Sequence, residues 1–120
     1  MNETNRKLIS LVLDKTNEKL LTWSRSSSAN EFKTELNSAT LNIALCFSDA
    51  FNPLRPIKIY SVNMYNGTGA PISLAHEEDG DPDFNLLSQL YHAAKDSCTR
   101  ETETISNLFE ELNSLGVIEG

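Results

Sequence analysis

Between residues 40 and 48 the chain alternates strictly, with Leu41, Ile43, Leu45 and Phe47 on one parity and Thr40, Asn42, Ala44 and Cys46 on the other. Successive side chains of a strand point to opposite faces, so this run predicts a strand with one face buried. Its neighbours extend that strand into a sheet. Residues 31–37 alternate too, with Phe32, Thr34 and Leu36 together, and Asn37-Ser38 lies between the two runs as a turn. Residues 49–56, which include Pro53 and Pro56, read as a loop. A third strand is expected over 56–65, where the alternation slips: Ile57 and Ile59 share one parity, Tyr60, Val62 and Met64 the other. Either both faces are partly covered or a bulge sits near Ile59-Tyr60. Asn66-Gly67 then supplies the positive φ that a tight hairpin needs, and a short fourth strand is expected over 71–75.

Helical spacing replaces alternation at both ends. Residues 4–17 place Leu8, Leu11, Val12 and Lys15 along one face, widened by Ile9 and Leu13, with Thr4 or Asn5 as the cap. Residues 20–23 read as an extended exit ending at Trp23, the single tryptophan, which is expected in the core rather than at an interface. Residues 24–30, with three consecutive serines, read as a loop. Asp81-Pro82 is the expected start of the second helical segment. From there the apolar positions run Leu87, Tyr91, Ala94, Cys98, then Ile105, Leu108, Leu112, Leu115, in steps of three and four, with Glu101 where an apolar residue is due. One helix over 83–115 would be roughly 50 Å long, too long for a lone globule of this size. A break between Cys98 and Glu101 is therefore expected, and Gly116 is expected to end the last helix. The uninterrupted helix is the alternative, and it implies a partner. These elements specify an α+β fold in a single domain: an N-terminal helix, an antiparallel β-meander of three to four strands, and a C-terminal helix or helix pair packed on one sheet face.

The helix–meander–helix order and the helical segment Leu90-Tyr91-His92-Ala93-Ala94-Lys95 resemble a group of short uncharacterised bacterial α+β domains, in which a Leu-Tyr-x-x-Ala-Arg/Lys helix follows a hairpin with an Asn-Gly-like turn. The resemblance implies the fold and carries no activity.

Charge narrows the partners. The net charge of −7 is divided unevenly, with +2 over residues 1–70 and −9 over residues 71–120. A polyanion is repelled by the second half and finds no cluster of bases in the first, so nucleic acid is not an expected partner. The longest apolar run near the N-terminus, residues 8–13, is too short for a signal segment or a bilayer span. The expected compartment is the cytoplasm, with Cys46 and Cys98 as buried, reduced thiols and the Asn-x-Thr matches at Asn2 and Asn66 incidental.

Chemistry is sparse. The densest polar stretch runs from His76 through Glu77, Glu78, Asp79 and Asp81 to Asp83. It departs from the calcium-loop pattern, because Phe84 stands where Gly is required, and it lacks the second histidine of a zinc helix. No nucleophile elbow, phosphate loop, dinucleotide fingerprint or Cys-x-x-Cys is present, and no cofactor is expected. The leading expectation is a non-catalytic protein–protein interaction module of regulatory, adaptor or inhibitor/immunity type, open to homodimer formation. It would use the acidic C-terminal half, with Glu77, Glu78, Asp79, Asp81, Glu101, Leu108 and Leu112 as contact residues. The alternative is a metal-dependent hydrolase or small-ligand binder using His76, Glu77, Asp79, Asp81, Asp83 and His92. A weaker third expectation, mimicry of nucleic-acid charge by residues 77–111, conflicts with acids that fall on the solvated backs of amphipathic helices.

Overall fold

The computed structural model describes residues 1–48, 54–67 and 69–119, with the backbone alone at residues 101 and 116–119. Most of the expected loop over 49–56 thus lies outside the described residues. Helix α1 (Glu3–Asn17) is followed by strands β1 (Ser24–Arg25), β2 (Glu31–Glu35), β3 (Thr40–Ser48), β4 (Ile57–Tyr65) and β5 (Pro71–Glu78), and then by helix α2 (Phe84–Glu119). The five strands form one antiparallel sheet in sequence order. The class is the expected α+β, and the sheet gains a two-residue edge strand at Ser24–Arg25, inside the serine-rich segment expected to be loop.

Strict alternation decides which face is buried. Phe32, Leu41, Ile43, Tyr60 and Val62 all lie beneath the helices, and β3 and β4 pair without interruption from Thr40↔Tyr65 to Ser48↔Ile57. The register slip falls one strand away from the expected place. Val62 faces Ala75 and Asn63 faces Ser73, so the bulge lies between β4 and β5 and its extra residue is Leu74. That residue turns into the core, and its carbonyl accepts a hydrogen bond of 3.0 Å from the Asn5 side chain of α1. The bulge frees a backbone acceptor and the helix satisfies it.

On α1 the buried face is Ile9, Val12, Leu13 and Thr16, rotated from the expected one, so Leu8 and Leu11 are exposed. The cap is Asn2, whose Oδ1 accepts the Asn5 backbone N–H at 2.7 Å, rather than Thr4 or Asn5. The helix closes with the Lys19 N–H on the Thr16 carbonyl and the Leu20 N–H on the Lys15 carbonyl, which is a Schellman ending. Lys19 takes its left-handed position at φ 64°.

Trp23 is 1% exposed, as expected of a core residue. Its indole N–H donates to Thr16 Oγ1 at 2.9 Å and its backbone N–H to Ser97 Oγ at 3.1 Å, which ties both helices to the entry of β1. Tyr91 of α2 sits between Phe32 and Tyr60, with ring centroids 5.5 and 5.3 Å away. Burial there raises the Tyr91 hydroxyl pKa above its ordinary value, and the neighbouring Tyr60 adds to the effect. Where α1, α2 and the sheet meet, the residual void is about 10 Å³ and is lined by apolar side chains, so a water there would find no polar partners.

The C-terminal segment departs most from expectation. α2 is one continuous helix through Cys98–Glu101, where a break was expected, and it continues past Gly116. Its length is roughly 54 Å, and the molecule measures 61 × 39 × 27 Å. The threonines are accommodated because Thr102 and Thr104 turn their hydroxyls back onto the Cys98 and Arg100 carbonyls, at 3.1 and 2.9 Å. The docked first half has already met the cost of nucleation, so each further residue adds only a propagation step. The helix also begins later than expected, at Phe84. Asp81 instead accepts the Glu78 backbone N–H with its carboxylate at 2.7 Å. No helix among the described residues is long and apolar enough to cross a membrane.

Candidate functional site

The acidic stretch does not assemble into a centre. β5 runs on to Glu78, so His76 and Glu78 face the open side of the sheet, exposed, while Glu77 points to the helix-covered side and is buried. Glu77 Oε1 lies 3.5 Å from the N-terminal ammonium of Met1. Asp79 and Gly80 form the turn that leaves the strand, with Gly80 at φ 101°. Asp83 pairs with Arg6 through two bonds of 2.9 Å, and that hydrogen-bonded cation holds its carboxyl below the ordinary 3.8. His92 is exposed on α2, edge-on to the Tyr91 ring at 5.6 Å and close to Leu13, Asn17 and Asp96. Among the described residues no three His, Cys, Asp or Glu side chains are grouped to hold a metal ion.

The thiols separate in the same way. Cys98 is buried against the core, whereas Cys46 is exposed, because its parity on β3 turns it to the uncovered sheet face. Expected burial of both thiols is therefore corrected for Cys46. Of the expected contact residues, Glu78, Asp79 and Asp81 are exposed near the start of α2, Glu77 is buried in its ion pair, and the side chain of Glu101 lies outside the described residues. Leu108 and Leu112 belong to a different place.

That place is the free half of α2. The face that carries Leu87, Tyr91, Ala94 and Cys98 is covered by the sheet, and the same face continues through Ile105, Leu108, Leu112 and Leu115, each about half exposed among the described residues. From Thr99 to Leu115 no described side chain is buried, and the five large apolar residues there, Phe109 included, are between 48 and 63% exposed. One seam thus has a closed half and an open half.

The root of this arm is flanked by two grooves. One, of about 360 Å³, lies between the exit of α1 and the helix, with Lys19 and Leu21 facing Arg100 and Ile105. The other, of about 200 Å³, lies across the seam, where Arg25 and Phe32 face Lys95, Thr102 and Glu103. Lys19, Arg25, Lys95 and Arg100 are exposed, and among the described residues none of them forms an ion pair. Beyond Arg100 the chain carries no base: residues 101–120 contain five acids, of which Glu103 still lines the second groove.

Sequence reasoning found the seam and missed its surroundings. Phe109 escaped because it adjoins Leu108 outside the three-and-four spacing. The cationic root had no local signal, since Lys19 and Arg25 reach it only through the tertiary fold. Compared with known proteins, the chain matches no family model, no curated protein and no solved structure.

Proposed function

We propose that this protein is a non-catalytic protein–protein interaction module whose working element is the free half of α2, residues 99–115. The observation that carries the reading is the continuation of a packed apolar seam into solvent, with Ile105, Leu108, Phe109, Leu112 and Leu115 about half exposed. A lone helix of this length buries nothing and is marginal in water. A contiguous apolar stripe rimmed by polar residues is the signature of a contact surface. Helix recognition by anchors at i, i+3, i+7 and i+10 is a well-defined mode of docking. Within this class the arm suits an adaptor or a regulatory subunit, since it extends beyond the body and leaves the sheet free. The expected acidic surface is thereby redrawn: its contribution comes from Glu110 and Glu111 on the arm, and Glu77 takes no part. We propose the cytoplasm as the compartment, where the exposed Cys46 thiol stays reduced.

A photo-reactive aromatic residue placed at position 109, and in a second chain at exposed Ser73 of β5, tests the reading in the native cells. Adducts of discrete mass at position 109 and not at position 73 are expected. Failure to form any adduct at position 109 overturns it.

A further inference from the structure

We propose that the open half of the α2 seam is covered by the same half of a second copy of this chain, laid antiparallel, so that the end of each arm runs between the cations at the root of the other. The proposal rests on the reading of the arm as the contact element and names its occupant.

Three observations select this arrangement. The seam repeats at steps of three and four, which is the spacing of two helices packed knobs-into-holes, and a second copy of this helix is itself such a partner. Charge then fixes the direction. The root of the arm holds Lys19, Arg25, Lys95 and Arg100, with Glu103 lining one of its grooves but no acid paired to these cations among the described residues, while the helix runs on to Glu119 with no base after Arg100. An antiparallel pair brings the negative pole of each helix end opposite Arg100 and the cations beside it, while Glu110 and Glu111 stay near the centre of the overlap. A parallel pair would set the two helix ends pole to pole and the two groups of cations base on base. Area agrees as well. Five apolar side chains, each about half exposed, leave roughly 400–500 Å² per copy. Two copies with their rims reach the roughly 1,000 Å² that a specific interface needs.

Symmetry about a point near residue 110 puts Ile105 opposite Leu115 of the second copy and Leu108 opposite Leu112. Both Phe109 rings meet on one side of the twofold axis, which gives a role to the most exposed apolar residue of the arm. On the other side the two Glu111 carboxylates approach, which weakens the pair by like-charge repulsion. The association is therefore reversible and sensitive to concentration rather than permanent.

Sedimentation equilibrium and light scattering on the full chain, carried in a Cys46→Ser background, test the proposal across the micromolar range. A mass rising toward twice 13.4 kDa is expected. The Leu108→Glu/Leu112→Glu chain is expected to stay at 13.4 kDa, with near-ultraviolet signals of the Trp23 and Tyr91 core unchanged. Direction is read by mild oxidation: Ile105→Cys chains mixed with Leu115→Cys chains should cross-link to each other, and neither should cross-link to itself. A constant monomer mass, or self-cross-linking of Ile105→Cys alone, overturns the proposal. If the chain stays monomeric and the residue at position 109 still captures a different protein in cells, the second copy is wrong and the interaction reading survives. If it captures nothing, both are wrong.

Discussion

Lys19 holds a backbone conformation that glycine adopts freely and a residue with a β-carbon adopts at a cost. Lys19→Gly should therefore stabilise the fold by about 0.5–1 kcal/mol, the relief of the left-handed residue being partly offset by a freer unfolded chain. Urea denaturation measures it, and a loss of stability would show that the lysine side chain holds the groove in shape. Ser97 offers the converse case. Its hydroxyl accepts the buried Trp23 N–H, so Ser97→Ala leaves that donor without a partner and should cost about 1–3 kcal/mol, whereas Ser97→Thr keeps an acceptor. Asp83 adds a pH dependence. Its folded pKa is depressed by the Arg6 pair, so the stability that the pair gives is complete above the ordinary carboxylate value of 3.8 and is lost as pH falls through the folded one. Denaturation of wild-type and Asp83→Asn chains should accordingly differ at neutral pH and converge in acid.

The elements were legible to different degrees, for identifiable reasons. β3 matches its expected bounds to the residue, and its core parity holds at Leu41 and Ile43, but alternation does not report burial along the whole strand: Phe47 runs out past the helices and is exposed, while Asn42 on the other face is buried. On α1 the apolar residues outnumber the buried positions, and periodicity could not say which of Leu8, Ile9, Leu11 and Val12 turn inward; the Asn5 bond to the bulged Leu74 carbonyl decides that rotation. The acidic stretch misled because a short apolar stretch before it looked like the end of β5, while the strand carries on through Glu77 and Glu78, paired with Tyr60 and Ile59. The continuity of α2 was missed because propensity and compactness both argue for a break, and neither allows for a helix that leaves its own globule. That departure is itself testable. Amides of residues 105–115 should exchange with deuterium far faster than those of 87–98 in dilute protein, and should slow as the concentration rises. A chain ending at residue 107 should keep its unfolding free energy within about 0.5 kcal/mol of the Leu108→Glu/Leu112→Glu monomer, because it keeps Ile105 in the groove and no described side chain beyond it is buried.

At the scale of the molecule, a compact body and a long lever share one helix. The body has a single core under both helices, and every strand of the sheet is touched by α2. Removing Leu87 or Tyr91 contacts should therefore loosen the body and the root of the arm together, while Leu112→Ala should alter association alone. Calorimetry at low concentration separates the two: Leu87→Ala should lower the stability by about 2–5 kcal/mol and Leu112→Ala should leave it unchanged. A continuous helix also carries orientation. Each residue advances the helix by about 100°, so the azimuth of the free stripe is set by the turns clamped on the sheet. One residue inserted between Thr99 and Thr104 would swing the stripe aside without touching any of its side chains, and seven would bring it back to within about 20° of its first heading. The body thus serves as the mount that aims the arm, and the spacing between mount and stripe is as much a part of the contact as the leucines.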